Sequence, residues 1–469
     1  MNKYKKLAKN SAIFAAANFG SKVMRFLIVP FYTYCMTSSE YGTVDTLVTT
    51  INLVIPVLML AIHEAALRYA LDKDINSDEV ITNCFLVLLI TSVCFLPAYF
   101  IFAKIKIFTG LWWLFYLLLI SDSINQILMN FSRGIGKSGT FAIGGLLNTV
   151  ILLASNVLLL AVFHLGIPGY LISMLLGFWA SNIYIGISIR LHKQLSLSNV
   201  NTALIKKMLM FSFPLIPTAV MWWVMNASDR YVITWFVGVS ATGIYAVSSK
   251  IPTIITVVYQ IFQQAWQISA VEEKDSDEKE VFYTSVYNGF VKMCFLAAAF
   301  LILIIKPLIE LVISTQYHDA WIYTPFLIIS AVFSSLGGFL GVNYVVEEKT
   351  TGAFITALIG AALNLGFDLF LTPIIGVQGA ALATLIGYYV LWLIRSWHTR
   401  RFIKIKQDYV GIHVHFILLI IQTIVLLSQI KGQYIFQIFI VLIMIIINYK
   451  DEKRLLATVL DVIRRRRKK

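Results

Sequence analysis

The sequence predicts an all-α integral membrane protein of about 14 transmembrane helices, two pseudo-symmetric six-helix lobes plus two C-terminal helices. Composition, the spacing of apolar runs and an internal repeat carry that prediction. Of 469 residues, 59% are hydrophobic and 13% charged, against roughly 25% charge in ordinary soluble domains. Mean hydropathy is +0.80. No Lys, Arg, Asp or Glu interrupts the chain between Lys137 and Arg190, which leaves no place for an extramembrane enzyme domain.

Apolar runs of spanning length fall at 11–36, 41–66, 80–103, 109–131, 139–163 and 168–190. The second set follows at 208–237, 242–266, 283–305, 321–345, 352–373 and 376–397, and the last two runs at 411–429 and 433–449. The first, seventh and eighth carry internal charge. The opening Met1 to Asn10 is basic but polar, and the apolar run after it is too long for a removable signal and lacks a small-residue cleavage site, so it reads as a first span.

Cytoplasmic loops are enriched in Lys and Arg. With the N-terminus inside, the outer side holds only Lys104, Lys106, Lys306 and Lys431, and five cations lie well within spans, which leaves 29 of the 38 on the cytoplasmic side when the span-end residues Arg190 and Arg395 are counted there. An even number of spans then places both termini in the cytoplasm. The net charge of +14 is concentrated beside spans, as in the loop Arg400 to Lys406 and the tail Arg464 to Lys469. Anionic lipid headgroups are the expected partner there, and no nucleic acid.

Sliding the halves by about 210 residues brings Gly166, Gly169 and Gly177 of "HLGIPGYLISMLLG" onto Gly376, Gly379 and Gly387 of "IIGVQGAALATLIG". Each segment follows a span bearing an asparagine, Asn148 or Asn156 in one half and Asn364 in the other. A second echo pairs "SSEYGTVD" near Gly42 with "VSATGIYA" near Gly243. Both offsets make the seventh span the counterpart of the first. The expected organisation is an N-terminal lobe of 1–205, a C-terminal lobe of 206–400, two added spans in 401–449 and a basic cytoplasmic tail of 450–469. Six spans between repeats give the lobes the same orientation.

The five cations inside spans are Lys22, Arg25, Arg230, Lys250 and Lys292. An ionised side chain at the bilayer centre costs about 2.5 to 3.5 kcal/mol on insertion scales, so such residues face a cavity or a partner. Lys22 and Arg25, three apart, share one helix face with Asn18 a turn earlier. They line a substrate cavity, or they snorkel or pair with Asp45, Asp122 or Asp229. Lys250 falls on a polar stripe with Thr253, Gln260 and Gln264, and Lys292 continues one with Thr284 and Asn288. Both stripes suit substrate contact or interhelical hydrogen bonding.

Asp229 and Arg230 are adjacent and point about 100° apart, so helix docking or gate closure is expected of them. Asp45, with Thr49 and Asn52, forms an acidic and amide face that neutralises Arg25 or binds a coupling proton or sodium ion. Asp122, Asn125, Gln126, Asn130 and Arg133 make a stripe on the fourth span, and Asn364 and Asp368 one on the eleventh. Such stripes line a hydrated path for sugar hydroxyls or pack between helices.

Signals of soluble enzymes fail. "GIGKSG" contains Gly-Lys-Ser, but Phe131 holds the first glycine position of a phosphate-binding loop and no strand precedes it. His413 and His415 are two apart on a helix and cannot share a metal. Cys35, Cys84, Cys94 and Cys294 lie in apolar runs without ligand spacing. Gly337 and Gly341 permit close packing of helices. Neither a metal nor a cofactor is expected. Pro214, Pro217, Pro252 and Pro373 interrupt spans, as proline does where helices line a cavity or bend.

Eight segments, in order along nearly the whole chain, carry a family resemblance: "SSEYGTVDTL", "AALRYA", "RGIGKSG", "FSFPLIPTAVMWW", "SDRYVITWFVGVSATGIYAVSSK", "QIFQQAW", "QYHDAWIYTPFLI" and "GVQGAALAT". The chain resembles the polysaccharide-transport branch of the multidrug/oligosaccharidyl-lipid/polysaccharide (MOP) exporters, the Wzx-type flippases. The resemblance implies a transporter, not an enzyme, in the bacterial plasma (inner) membrane. Two lobes would open alternately around a cationic cavity and carry undecaprenyl-diphosphate-linked oligosaccharide outward for capsule or O-antigen synthesis, with glycan polymerase machinery as a partner. By their helices, Lys22, Arg25 and Lys250 would be the cavity cations. Lys22 stands where arginine is common in related peptidoglycan lipid flippases, which weakens bidentate phosphate binding there. The alternative function is an ion-coupled multidrug antiporter of the same superfamily. Organic cations would need a cavity dominated by carboxylates, and the acids inside spans in the core are fewer or peripheral.

Overall fold

The computed structural model describes residues 28–72, 74–273, 278–347 and 349–466. The predicted first span, with Lys22 and Arg25, falls mainly outside the described residues. Within them the protein is helical, and eleven helices are long and apolar enough to cross a membrane, twelve if Val239–Ser248 and Thr253–Gln267 count as one broken span. Gln433–Tyr449 is a shorter apolar helix. The spanning helices differ in how far protein covers them: 17% of the most apolar stretch of Ser77–Phe102 is buried, against 78% for Ala320–Tyr344. Outward faces such as Leu89, Val93, Ile183, Ile187, Phe370 and Ile374 are exposed. A surface of that kind suits hydrocarbon, and the chain is a multi-pass membrane protein.

The chain divides into two compact units between Ala246 and Val247. The N-terminal unit contains α1 (Val29–Cys35), α2 (Ser38–Leu58), α3 (Ile62–Ala70), α4 (Ser77–Phe95), α5 (Trp112–Gly134), α6 (Ser138–Asn156), α7 (Gly166–Ile189), α8 (Thr202–Ser212), α9 (Leu215–Ala227) and α10 (Asp229–Phe236). It also holds most of α11 (Val239–Ser248). A capping box starts α2: the Glu40 N–H donates to the Thr37 hydroxyl at 3.3 Å and the Thr37 N–H to the Glu40 carboxylate at 2.9 Å, satisfying two donors that a helix start leaves open. The core, among Leu47, Ile51, Phe115, Leu119, Ile127 and Phe131, lies where α2, α3 and α5 meet. The predicted span 41–66 is not one rod. Leu60 and Ala61 take left-handed backbone at φ 49° and 52°, and the chain turns there before α3.

The C-terminal unit contains α12 (Thr253–Glu272), α13 (Lys279–Val312), α14 (Ala320–Val346), α15 (Thr350–Ile375), α16 (Val377–His398), α17 (Tyr409–Ser428) and α18 (Gln433–Arg466). Aromatic side chains fill its centre: Trp266, Tyr287, Phe295, Phe333 and Trp392 are fully buried, and Trp266 stacks on Phe339 at 4.5 Å between ring centres. The added helices α17 and α18 pack on α13.

Each unit holds one copy of the glycine repeat. Gly166 and Gly376 sit at φ 54° and 63° where α7 and α16 begin, a conformation that glycine adopts without the Cβ clash. Further along, a Cβ on Gly177 would meet the Asn148 carbonyl oxygen of α6 at 3.0 Å, and one on Gly387 would meet the Asn364 Cβ of α15 at 2.7 Å. The asparagine-bearing helix and the glycine-bearing helix therefore pack closely in both units.

Candidate functional site

Charge inside the N-terminal unit gathers where α2, α10 and α11 meet. Arg230 Nη1 donates to Asp229 Oδ1 at 2.7 Å and to the Asn226 carbonyl at 2.8 Å, while Nε donates to Asp45 Oδ2 at 3.1 Å. The Tyr245 hydroxyl donates to the other oxygen of Asp229 at 2.5 Å, and its ring lies 5.5 Å from the guanidinium carbon. The three charged side chains are 5 to 11% exposed. Burial of this depth demands pairing, and here two carboxylates share one guanidinium. Although Asp229 and Arg230 leave the helix about 100° apart, the guanidinium folds back over its neighbour. Asp45 accepts from Arg230, while Arg25, its expected partner, lies outside the described residues.

The same face of α2 continues from Asp45 through Thr49, whose carbonyl accepts the Trp223 indole N–H at 2.8 Å, to Asn52, about 10 Å along the axis at 1.5 Å per residue. Asn52 opens on a cavity of about 390 Å³ whose lining includes His63, Glu64, Gln126, Thr218 and Trp222. The turn at Leu60 and Ala61 creates it. Left-handed backbone costs a non-glycine residue roughly 1 to 2 kcal/mol, and it persists because Ser212 donates to the Leu60 carbonyl at 2.7 Å while Met59, Ala61 and Ile62 are buried. Within α2, Pro56 supplies no N–H to the Asn52 carbonyl four residues earlier.

The amide stripe of the fourth span divides between packing and cavity. Asn125 donates to Ser181 at 2.9 Å and Asn182 at 2.8 Å on α7, a packing role. Gln126 donates to Asp122 at 3.1 Å and lines the cavity.

Lys250 does not continue a helical stripe: it lies half-buried in the break between α11 and α12, two residues before Pro252, and its carbonyl accepts the Thr253 N–H at 3.2 Å. Lys292 is half-buried on α13. Its expected stripe partners hold the loop before α17, since Thr284 accepts the Lys406 N–H at 3.1 Å and Asn288 donates to the Lys406 carbonyl at 3.1 Å.

Arg395, counted from sequence with the cytoplasmic cations, is buried in the C-terminal unit at 3% exposure. Its guanidinium donates to the Gly337 carbonyl at 2.9 Å, the Thr356 hydroxyl at 3.1 Å and the Ala353 carbonyl at 3.4 Å. A Cβ on Gly341 would stand 2.6 Å from Nη1, so Gly337 and Gly341 make room for this side chain. Its place two residues inside a predicted span was the signal available in the sequence.

Among solved structures the chain is similar to the lipid II flippase MurJ in an inward closed conformation, with a TM-score of 0.68 and 16% identity over 94% of this chain and 99% of that one. It is also similar to an inward-facing multidrug resistance MATE family transporter of the MOP superfamily, with a TM-score of 0.61 and 14% identity over 84% and 93%. The chain therefore shares the fold of these two proteins. A family described as "Polysaccharide biosynthesis protein" matches residues 7–267, more than half of the sequence, and the chain belongs to that family. An uncharacterized membrane protein of Methanocaldococcus jannaschii is 25% identical over 190 residues, 38% of this chain and 36% of that one. The match spans about a third of that relative.

Proposed function

We propose that the protein is a Wzx-type flippase that moves a polyprenyl-diphosphate-linked oligosaccharide from the inner to the outer leaflet of a bacterial plasma membrane, with both termini cytoplasmic. The observation that carries this reading is the family match over residues 7–267. Cations within apolar helices or at a break between them support it, because a diphosphate is held by charge-assisted bonds about twice as strong as neutral ones. Lys250 and Lys292 are the described candidates for that contact, with Lys22 and Arg25 on the first predicted span. The fold likeness to MurJ, a lipid II flippase by its name, agrees with a lipid-linked cargo.

The likeness to MATE transporters keeps the multidrug antiporter as the second reading. Against it, Asp45 and Asp229 are engaged by Arg230 and offer an organic cation no free carboxylate pair. Depletion of the protein distinguishes the two. A flippase leaves lipid-linked glycan accumulating on the cytoplasmic leaflet with surface polysaccharide lost. An unchanged lipid-linked pool with impaired drug efflux reverses the assignment.

A further inference from the structure

The cavity of about 390 Å³ in the N-terminal unit falls at the small end of the ligand-site range of about 300 to 1,000 Å³. It has room for a sugar residue or two and not for a long chain. Its polar groups come from four separate pieces of chain: Asn52 on α2, His63 and Glu64 at the start of α3, Gln126 on α5 and Thr218 on α9. Trp222 adds an aromatic face.

Several of these groups stand ready for a ligand. Asn52 is exposed and its amide makes no hydrogen bond among the described residues, while the Gln126 amide nitrogen is committed to Asp122 at 3.1 Å, which leaves its oxygen as an acceptor. Glu64 is half exposed, and its carboxylate lies 3.6 Å from His63 Nε2, beyond a good hydrogen bond. His63 Nδ1 is buried without a partner among the described residues. The non-glycine turn that brings His63 and Glu64 here is strained, and strain of that kind concentrates at ligand sites.

Among the described residues the lining holds one acid, Glu64, and neither lysine nor arginine. Those residues suit a neutral group better than a diphosphate. Amide and carboxylate oxygens accept from hydroxyl and amide N–H groups, and an indole face covers the apolar side of a pyranose ring. We propose, building on the flippase reading, that this cavity is the glycan subsite of the transported lipid, selecting neutral or amino sugars and rejecting acidic ones by repulsion from Glu64. The diphosphate would then be held elsewhere, and repulsion at one group would supply the specificity.

The test compares two synthetic lipids in proteoliposomes, alike in polyprenyl chain and diphosphate, one carrying an N-acetylhexosamine and the other a hexuronic acid. The wild-type protein moves the first faster by about fivefold, the size of one like-charge contact in water. Glu64→Gln, which keeps shape and loses charge, brings the two rates together. Trp222→Ala slows both sugar lipids relative to the sugar-free polyprenyl diphosphate. Equal wild-type rates, or a well-inserted Glu64→Gln protein that keeps the full preference, overturn the subsite. If the wild-type protein moves neither lipid, the flippase reading itself falls and the subsite with it.

Discussion

Gly42 of α2 and Gly243 of α11 meet backbone to backbone. A Cβ on Gly42 would lie 2.8 Å from the Gly243 nitrogen and closer still to the Val239 carbonyl, and one on Gly243 would strike the Ser38 carbonyl. Beside them the Ser38 and Ser240 hydroxyls share a 2.6 Å hydrogen bond. The two segments that echo each other in the sequence are thus packed on each other in the N-terminal unit.

Because the atoms in the way are backbone, Gly42→Ala and Gly243→Ala force the helices apart. Overpacking of this kind costs about 1 to 3 kcal/mol. Each variant should lower the thermal midpoint of the purified protein. Gly289→Ala, on α13 with nothing within 4 Å of an added Cβ, serves as the control and should be neutral or stabilising by up to about 1 kcal/mol. Equal behaviour of Gly42→Ala and Gly289→Ala would show that the helices do not pack this closely.

Arg230→Met takes the guanidinium away from two buried carboxylates, Asp45 and Asp229, and removing one partner of a buried ion pair costs about 3 to 5 kcal/mol. Asp45→Asn alone leaves Arg230 paired with Asp229 and should cost less. Adding Asp45→Asn to Arg230→Met should restore part of the loss, because one buried charge that faced the guanidinium disappears. Protein level and thermal midpoint in the four-membered cycle check this, and strict additivity would mean that Asp45 and Arg230 are not paired.

Arg395→Lys is expected to behave almost as badly as Arg395→Ala. The guanidinium makes three hydrogen bonds in different directions to Gly337, Thr356 and Ala353, and one ammonium cannot reproduce that fork. A buried carbonyl left unpaired costs about 1 to 3 kcal/mol. Gly341→Ala should also destabilise, by pushing Nη1 away from the Gly337 carbonyl, and its effect should shrink in an Arg395→Leu background. Full stability of Arg395→Lys would refute this network.

Helix positions were legible because a bilayer requires long apolar runs, and the glycine repeats because close helix contact admits little besides glycine. The site was less so. Asp45 and Arg230 are 185 residues apart, and nothing in either neighbourhood pairs them. The cavity depends on left-handed backbone at Leu60 and Ala61, residues that carry no turn signal, so 41–66 read as one continuous span. Asn52 and Gln126 were picked out as polar stripes, yet only tertiary packing separates Gln126, at the cavity, from Asn125, which binds α7. Arg395 near a predicted helix end looked like a loop cation, since hydropathy does not register three hydrogen bonds around a guanidinium.

If the cargo is a polyprenyl diphosphate, the membrane potential should assist its outward passage. A headgroup leaving a negative interior gains about 2.3 kcal/mol per charge for each 100 mV, so about two negative charges gain roughly twice that. The return of the empty carrier moves its own cations, Lys250 and Lys292 among them, inward down the same field, and any proton or sodium coupling would act on that step. In proteoliposomes loaded with labelled polyprenyl-diphosphate sugar, an inside-negative potential should accelerate outward flipping under single-turnover conditions, where return is not required. Lys250→Ala and Lys292→Ala should each weaken competition by unlabelled substrate severalfold while the protein remains inserted. A neutral polyprenol-linked sugar should not compete. Equal competition by the neutral lipid would mean that the diphosphate is not what these cations recognise, and an unchanged single-turnover rate under potential would mean that no net charge crosses with the cargo.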